Sequence, residues 1–292
     1  MKEFHKYFEA NKNLWNKKTA VHITSDFYGL EEFKKGTNSL TEIEIREVGD
    51  VRGKSLLHLQ CHFGMDTMSW SRLGANCVGV DISDEAIKTA KEINDDLRLN
   101  AKFICCNVYD LHPKNIESSK TPPLEEIGEA GAFDIVFTSY GTIGWLPDLE
   151  KWAELISYYL KPGGIFYIAD FHPVVWMFDE EFTHIKYYYD NREVIETEST
   201  GTYTDRQADI KGKEYGWNHS ISEIMNSLIK TGLKIELFNE HMYSPFPCFN
   251  NLVAFEKNKW HIKGMEGKIP MVYSLRAKKL NNEQNPEECD AT

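Results

Sequence analysis

The stretch Leu56-Leu57-His58-Leu59-Gln60-Cys61-His62-Phe63-Gly64-Met65-Asp66-Thr67, followed by Val78-Gly79-Val80-Asp81, decides the fold. An apolar strand runs into a turn, the turn into a helix, and a second strand ends on an acidic residue. Nucleotide-binding α/β folds use this order to set an adenosine ribose against the acid and an anionic group at the helix N-terminus. The turn carries one glycine, Gly64, where a dinucleotide fingerprint has three. An adenosine-containing cofactor is therefore indicated and NAD disfavoured. Asp81, 17 residues after Gly64, is placed to take both ribose hydroxyls, because a carboxylate only accepts. The alternative for Asp81 is a helix N-cap or first-turn acid, and Asp66 has the same alternative.

Outward from this stretch the chain alternates strand and helix. Ser55–Gln60 is a buried strand, Gly64–Leu73 a helix and Asn76–Val80 the second strand. Ser83 caps a helix with an apolar stripe of Ala86, Ile87, Ala90, Ile93 and Leu97. Ala101–Cys106 and Phe133–Thr138 are further strands, separated by a loop-rich insertion at 112–131 that holds Pro113, Pro122 and Pro123. The spacing predicts a helix over Leu149–Leu160, with Trp152, Ala153, Ile156, Tyr159 and Leu160 toward the sheet, stopped by Lys161-Pro162-Gly163-Gly164 before a strand at Ile165–Ala169. Such alternation implies a mostly parallel sheet covered on both faces. Residues 1–45, with Phe4, Tyr7, Phe8, Leu14 and Trp15 at loose helical spacing, read as a cap over the core or as an ordinary packing helix. Segment 173–216 breaks the rhythm. Tyr187–Tyr189 and Val194–Glu198, joined through Asp190-Asn191-Arg192-Glu193, predict an inserted β-hairpin or small antiparallel sheet. A helix from Ser220 or Ser222 to Gly232 and strands at Leu233–Phe238 and Met271–Ala277 complete a single domain over 1–280, and the polar tail 281–292 is expected to fray.

Composition narrows the function. Hydrophobic residues make up 41% of the 292, enough for a sizeable core. A formal net charge of −12 disfavours nucleic acid, whose phosphates demand clustered Lys and Arg. No apolar run approaches the ~18–20 residues of a membrane span. Six cysteines occur without C-x-x-C or another zinc spacing, so no metal is expected. Cys77, Cys105 and Cys106 read as small core residues, and with no apolar segment after Met1 a reducing, cytoplasmic setting is expected.

In an open parallel sheet ligands sit beyond the carboxyl ends of the strands. That rule selects Gln60–Gly64, Asp81-Ile82, Asn107–Asp110, Ser139–Trp145 and Asp170–His172. Five pieces in this order, Leu-His-Leu-Gln-Cys-His-Phe-Gly64, Gly-Val-Asp81, Asn107–Leu111, Phe133–Phe137 and Leu160-Lys161-Pro162-Gly163-Gly164, resemble a class I S-adenosylmethionine-dependent methyltransferase of the Rossmann-like, small-molecule type. The resemblance spans residues 53–172, with weaker agreement to 278. It implies seven strands, the last antiparallel between the fifth and sixth. By position it implies that Gln60, Cys61, His62 and Gly64, with Asp66 and Thr67 beside them, cradle the cofactor's amino-acid end. It puts Asp81 on the ribose, Ile82 and Val108 around the adenine, Asn107 at the adenine's polar edge, and Ser139 and Tyr140 near the sulfonium methyl. The family usually has an acid where His58 stands and glycines where Gln60 and His62 stand. Asp66, Gln60 or a residue of the cap is then left to hold the methionine ammonium.

Methyl transfer is an in-line displacement, so the protein mainly aligns the nucleophile and excludes water. Where the acceptor carries a proton a base is needed. His172, His219, His241 and Tyr140 are candidates, with His172 first because it follows strand five at the expected rim; each histidine is also read as a structural residue. Trp145, Trp217 and His219, with the cap and the insertion, are expected to enclose a small organic acceptor. Other readings are a catalytically silent S-adenosylmethionine-binding or regulatory protein, a protein or RNA methyltransferase, and a Rossmann oxidoreductase. Pro247-Cys248 falls after strand six, out of place for a cytosine-C5 nucleophile.

Overall fold

A computed structural model of the chain describes residues 1–111, 127 and 129–281. The expected insertion at 112–131 and tail at 281–292 thus fall largely outside the described residues. Seven strands form one sheet: β1 (Ser55–Leu59), β2 (Asn76–Asp81), β3 (Lys102–Cys105), β4 (Phe133–Thr138), β5 (Leu160–Phe171), β8 (Leu233–His241) and β11 (Val272–Lys279). Their spatial order is β3-β2-β1-β4-β5-β11-β8. β11 runs antiparallel to β5 and β8, while β1, β2, β3, β4 and β5 pair in parallel. The topology implied by the sequence resemblance is the one observed.

Strand alternation feeds two cores. Leu57, Val136 and Ile168 enter one layer and their neighbours Leu56, Ile135 and Tyr167 the other, as the two-residue period of a strand requires. Helices α4 (Met65–Arg72) and α5 (Asp84–Asp96) cover one face, and α6 (Leu149–Tyr159) and α7 (Ile221–Lys230) the other. Each of the last three starts on a side-chain cap. Ser83 accepts from the Ala86 amide, Asp148 from Lys151 and Ser220 from Glu223, which stabilises a helix start by ~1 kcal/mol.

The N-terminal segment is a cap. Helix α1 (His5–His22) lies against α5 and against the hairpin of β6 (Asn191–Thr200) and β7 (Lys211–Asn218). The Asn11 amide reads the Tyr215 backbone like a sheet partner, donating to its carbonyl at 2.8 Å and accepting from its N–H at 2.9 Å. Short helices α2 (Leu30–Lys34) and α3 (Glu42–Val48) lead from the cap to β1.

Three expectations need correction. The inserted hairpin does not turn at Asp190–Glu193 with Tyr187–Tyr189 as an arm. It turns through 201–210, starting at Gly201, whose φ is +67° and where an added Cβ would meet the Arg206 carbonyl at 2.5 Å. Its second strand runs past residue 216 to Asn218. A second hairpin, β9 (Leu252–Glu256) and β10 (Lys259–Ile262), went unpredicted; its short polar turn, Lys257-Asn258, was the available signal. Cys105 is exposed at the end of the edge strand β3 and is not a core residue, whereas Cys77 and Cys106 are buried.

Candidate active site

The carboxyl ends of β1, β2, β4 and β5 open into a cavity of about 1290 Å³ that α1, both hairpins and the 139–146 loop enclose. That exceeds the ~300–1,000 Å³ usual for one small ligand, so the space suits two molecules side by side.

The β1–α4 turn forms one end. Gln60 (φ +56°), His62 (φ +50°) and Gly64 (φ +78°) are all left-handed. The turn therefore takes a left-handed path at all three positions, one that glycine adopts freely. Two ordinary residues adopt it at ~1–2 kcal/mol each. Hydrogen bonds hold them there: Cys61 N–H donates to Val80 O at 2.9 Å, Gly64 N–H to Cys61 O at 2.9 Å, and His62 N–H to Asp81 Oδ2 at 2.8 Å. A side chain at Gly64 would be both strained and crowded, because a Cβ there would lie 2.4 Å from the Phe103 ring unless that ring shifts. The Gln60 amide donates to Thr142 O at 2.9 Å, tying this turn to the loop after β4, while its shielded Oε1 has no partner.

Asp81 opens onto the same cavity. Its second oxygen accepts the Ser83 amide at 2.8 Å. Each carboxylate oxygen thus keeps a lone pair for a ligand hydroxyl. Burial raises its pKa, and the amides of Ser83 and His62 oppose that rise. Ile82, Asn107 and Val108 line the adjoining wall, with Asn107 Oδ1 accepting the Tyr109 amide at 3.0 Å. The loop after β4 is wound around the buried Asp170. Its carboxylate accepts the amides of Gly141, Thr142 and Ile143 at 2.5–3.1 Å.

His58 occupies the buried end of β1. Its Nδ1 lies 2.8 Å from Thr67 Oγ1 and its Nε2 3.4 Å from Ser139 Oγ, and burial pushes its pKa down to about 3. It is a neutral spacer. Asp66 lines the cavity and accepts from Ser39 Oγ at 2.6 Å. Behind Tyr140, the fully buried Glu44 closes a capping box with Thr41 and lies 3.4 Å from the Tyr140 hydroxyl. Burial and then the charge of Asp66 push Glu44 up to about 7.

The other end is aromatic. Trp15 of α1 meets Trp145 edge to face at 5.6 Å, with Lys18 between their rings and the Glu214 carboxylate. Tyr140 packs on Phe246 at 4.9 Å, and Phe171 on Phe249 at 4.8 Å. Trp217 faces the cavity beneath Phe4 and Tyr7. The two ends meet in a chain of side chains: His62 Nε2 lies 3.0 Å from His22 Nδ1, and His22 Nε2 lies 2.5 Å from the Thr202 hydroxyl. Burial, aided by Lys18, lowers His22 to about 3.

Of the expected residues, Gln60, Cys61, His62, Gly64, Asp66, Asp81, Ile82, Asn107, Val108, Ser139, Tyr140, Trp145 and Trp217 come together around the cavity. Thr67, His172 and His219 do not line it, and this corrects their expected roles. Thr67 is enclosed against His58. His172 continues the ladder to Met271, and its ring turns to Glu240 Oε1, 3.0 Å away, and to the Val174 amide. The first-choice base thus faces β8, turned away from the cavity. His219 ties the loop carbonyl of Leu146, 2.7 Å away, to Glu223. His241, also outside the wall, contacts Ser274. The sequence reading missed His22, Ser39, Thr41, Glu44 and Thr202, and also Tyr203, whose hydroxyl meets that of Tyr28 in the cavity wall. The capping box at Thr41–Glu44 was the one local signal for any of them. Among the described residues no cluster of three His, Cys, Asp or Glu is set to hold a metal, and no helix is long and apolar enough to cross a membrane.

Comparison with known proteins places this geometry. The family model described as a methyltransferase domain matches residues 57–227, more than half of the chain. Phosphoethanolamine N-methyltransferase 1 of Triticum aestivum is 32% identical over 40% of this chain and 21% of its own length. The mitochondrial ubiquinone biosynthesis O-methyltransferase of Homo sapiens is 34% identical over 40% of this chain and 28% of its own. The chain thus spans under a third of either relative. An S-adenosylmethionine-dependent methyltransferase structure from Mesorhizobium loti superposes with a TM-score of 0.53 at 19% identity, covering 84% of this chain and 99% of that one, a likeness of fold.

Proposed function

The chain belongs to the methyltransferase-domain family, and from that membership we propose that it moves a methyl group from S-adenosylmethionine to a small organic acceptor in the same cavity. The observation that carries the reading is Asp81: a carboxylate with one amide on each oxygen, beside a left-handed turn, in a cavity large enough for two ligands. The residues present fit the cofactor. Asp81 would take the ribose hydroxyls, Ile82 and Val108 the faces of the adenine, and the Gln60–Gly64 turn the amino-acid end.

When bound, the cofactor supplies a methyl carbon on a positively charged sulfur. The chain's own part is placement and exclusion of water. Asp170 fixes the 139–146 loop, and so fixes Ser139 and Tyr140 at the boundary between the two ends. The Tyr140 phenol, which burial keeps protonated, donates toward Glu44 Oε2, and its oxygen is left to accept a hydrogen bond from the acceptor. The aromatic end excludes water and favours an apolar or aromatic acceptor body. The curated relatives methylate nitrogen in one case and serve an O-methylation in the other, so both atoms belong in a screen. All five described cysteines are free thiols, which supports a reducing compartment such as the cytoplasm.

The test is transfer of labelled methyl from S-adenosylmethionine to a panel of small amines, phenols and carboxylates. Label in at least one acceptor, lost in Tyr140→Ala with cofactor binding intact, is the expected result. Tight cofactor binding with no transfer across the panel would favour a silent binding protein instead.

A further inference from the structure

We infer that the methyl acceptor is an aromatic hydroxyl whose proton passes through Tyr140 to the buried carboxylate of Glu44 as the methyl group arrives. The inference rests on the transferase reading above and adds the acceptor class and the route of the proton.

The direction of the hydrogen bonds around Tyr140 selects the class. Tyr140 is half-buried and lines the cavity together with Thr41. Its hydroxyl donates to Glu44 Oε2 at 3.4 Å and lies 3.3 Å from the Thr41 hydroxyl. The Thr41 hydroxyl donates to the same Glu44 oxygen, and so does the Thr41 amide at 3.2 Å. Both hydroxyl protons are thus spent on the carboxylate, and the phenol oxygen offers the cavity only a lone pair. An acceptor O–H fits that lone pair, whereas an acceptor carboxylate does not. The wall beside Tyr140 sets the body of the acceptor. Phe246 and Phe171 meet its ring at 4.9 and 5.7 Å, and Trp176 and Phe249 line the same cavity. A phenol, with an ordinary pKa of about 10, is also a far stronger acid than an aliphatic alcohol.

Glu44 is placed to receive a proton. It is 1% exposed and does not itself line the cavity, so Tyr140 and Thr41 stand between it and any ligand. Glu47, one turn on in the same helix, is also buried but is tied to the Tyr167 hydroxyl, the Asn239 amide and Arg46. Glu44 forms no ion pair with a Lys, Arg or His among the described residues. The titratable groups that face it are Asp66 from α4, Tyr140 from the loop after β4 and Tyr167 from β5, all of them acidic. A buried carboxylate in acidic company gains by taking up a proton.

The step balances. A lone pair of the acceptor oxygen forms the bond to the methyl carbon, the carbon–sulfur bond breaks, and its electron pair stays on sulfur. The acceptor proton moves to the Tyr140 oxygen as the Tyr140 proton moves to Glu44 Oε2. Tyr140 ends as it began, and Glu44 ends as a carboxylic acid that returns its proton by the reverse route to water once the product leaves. Tyr140 is the catalytic residue, and Glu44 is a positioning residue that acts through it.

Transfer of labelled methyl to 4-methoxyphenol and to 4-nitrophenol tests this. The second is the stronger acid, already largely ionised at about pH 8, and needs little from a base. With 4-methoxyphenol, kcat of the unaltered protein is expected to fall as the pH drops through about 7, where burial and Asp66 set Glu44, and to level off above. Glu44→Gln is expected to remove that acid limb and to lower kcat about a hundredfold with KM within about threefold, and to cost 4-nitrophenol roughly tenfold less. Tyr140→Phe is expected to show the same pattern, and it decides the matter if Glu44→Gln fails to fold. Equal losses on the two phenols, or an acid limb that survives the substitution, would overturn the inference. Transfer to amines or carboxylates but to no phenol would overturn the inference alone. Transfer to no acceptor of any class would overturn the transferase reading and the inference with it.

Discussion

The two ends of the cavity are built by different physics. The end where we place the cofactor is made of backbone: amides and left-handed turns set by β1, β2 and β4, with carboxylates closing each loop. The opposite end is made of rings supplied by α1, the 139–146 loop and two hairpins, joined by a few side-chain bonds such as His62–His22–Thr202. A backbone-built site is fixed once the sheet forms. A ring-built site can change its residues without changing the fold, so one architecture can serve many acceptors. Breaking one end should therefore leave a different trace from breaking the other.

The largest effect is expected at the rigid end. Gly64→Ala must place a Cβ against Phe103 in a left-handed conformation. Strain and overpacking together should cost about 2–5 kcal/mol, read as a shift in the urea midpoint, with loss of cofactor binding. A similar midpoint to the unaltered protein would mean that the turn is less constrained than its contacts imply.

A pH series probes the junction next. His22 and His58 have folded pKa values near 3, below the ordinary 6.5, because burial disfavours their charged forms. Their stabilisation is complete above pH 6.5 and is lost as the pH falls from 6.5 toward 3. Glu44 has the opposite sign. Its folded pKa near 7 lies above the ordinary 4.5, so it favours the folded state at low pH and loses that contribution as the pH rises from 4.5 to 7. His62 has the sign of His22 and His58, and the raised Asp66, Asp81 and Asp170 have the sign of Glu44, so each variant reads one group's share of the slope of stability with pH, up to roughly 1.4 kcal/mol per pH unit. His22→Gln should flatten that slope, and Glu44→Gln should steepen it. Denaturant titrations at pH 5, 6 and 7 read both, and variants whose profiles match that of the unaltered protein would refute the neutral junction.

The smallest effect sharpens the comparison most. His62→Gly relieves left-handed strain of ~1–2 kcal/mol. It also removes the bond to His22 and ring contacts to Trp15, Tyr28 and Phe63, worth ~0.5–1.5 kcal/mol each. The contacts win, and a net loss of about 1 kcal/mol is expected, with faster proteolysis of α1 and methylthioadenosine affinity unchanged. A stabilised His62→Gly would show that strain outweighs the tie between the two ends.

The same contrast explains what the sequence disclosed. Asp81 and Gly64 were legible because each acts within a few residues of its own strand, and strand-end geometry is common to the sheet class; Leu160–Gly164, expected as a turn before the fifth strand, instead forms the irregular start of β5 itself. Gln60 and His62 misled only in part: both stand in the left-handed region that glycine favours. His172 was misplaced because a position at a strand's end does not say which way the ring points, and Glu240 on β8 drew it aside. His22 and Thr202 lie 180 residues apart in sequence, and no local pattern joins them. The hairpin was displaced because three consecutive tyrosines look more like a strand than the polar run that forms one, Asn191–Thr200.

The account's central claim is that Asp81 and its turn form an S-adenosylmethionine site. Calorimetric titration of S-adenosylhomocysteine and of NAD into the protein and into Asp81→Ala tests it most directly. The claim predicts saturable one-to-one binding of S-adenosylhomocysteine, none of NAD, and at least a hundredfold loss in a folded Asp81→Ala. Binding of NAD in preference, or S-adenosylhomocysteine affinity that survives removal of the Asp81 carboxylate, would contradict it.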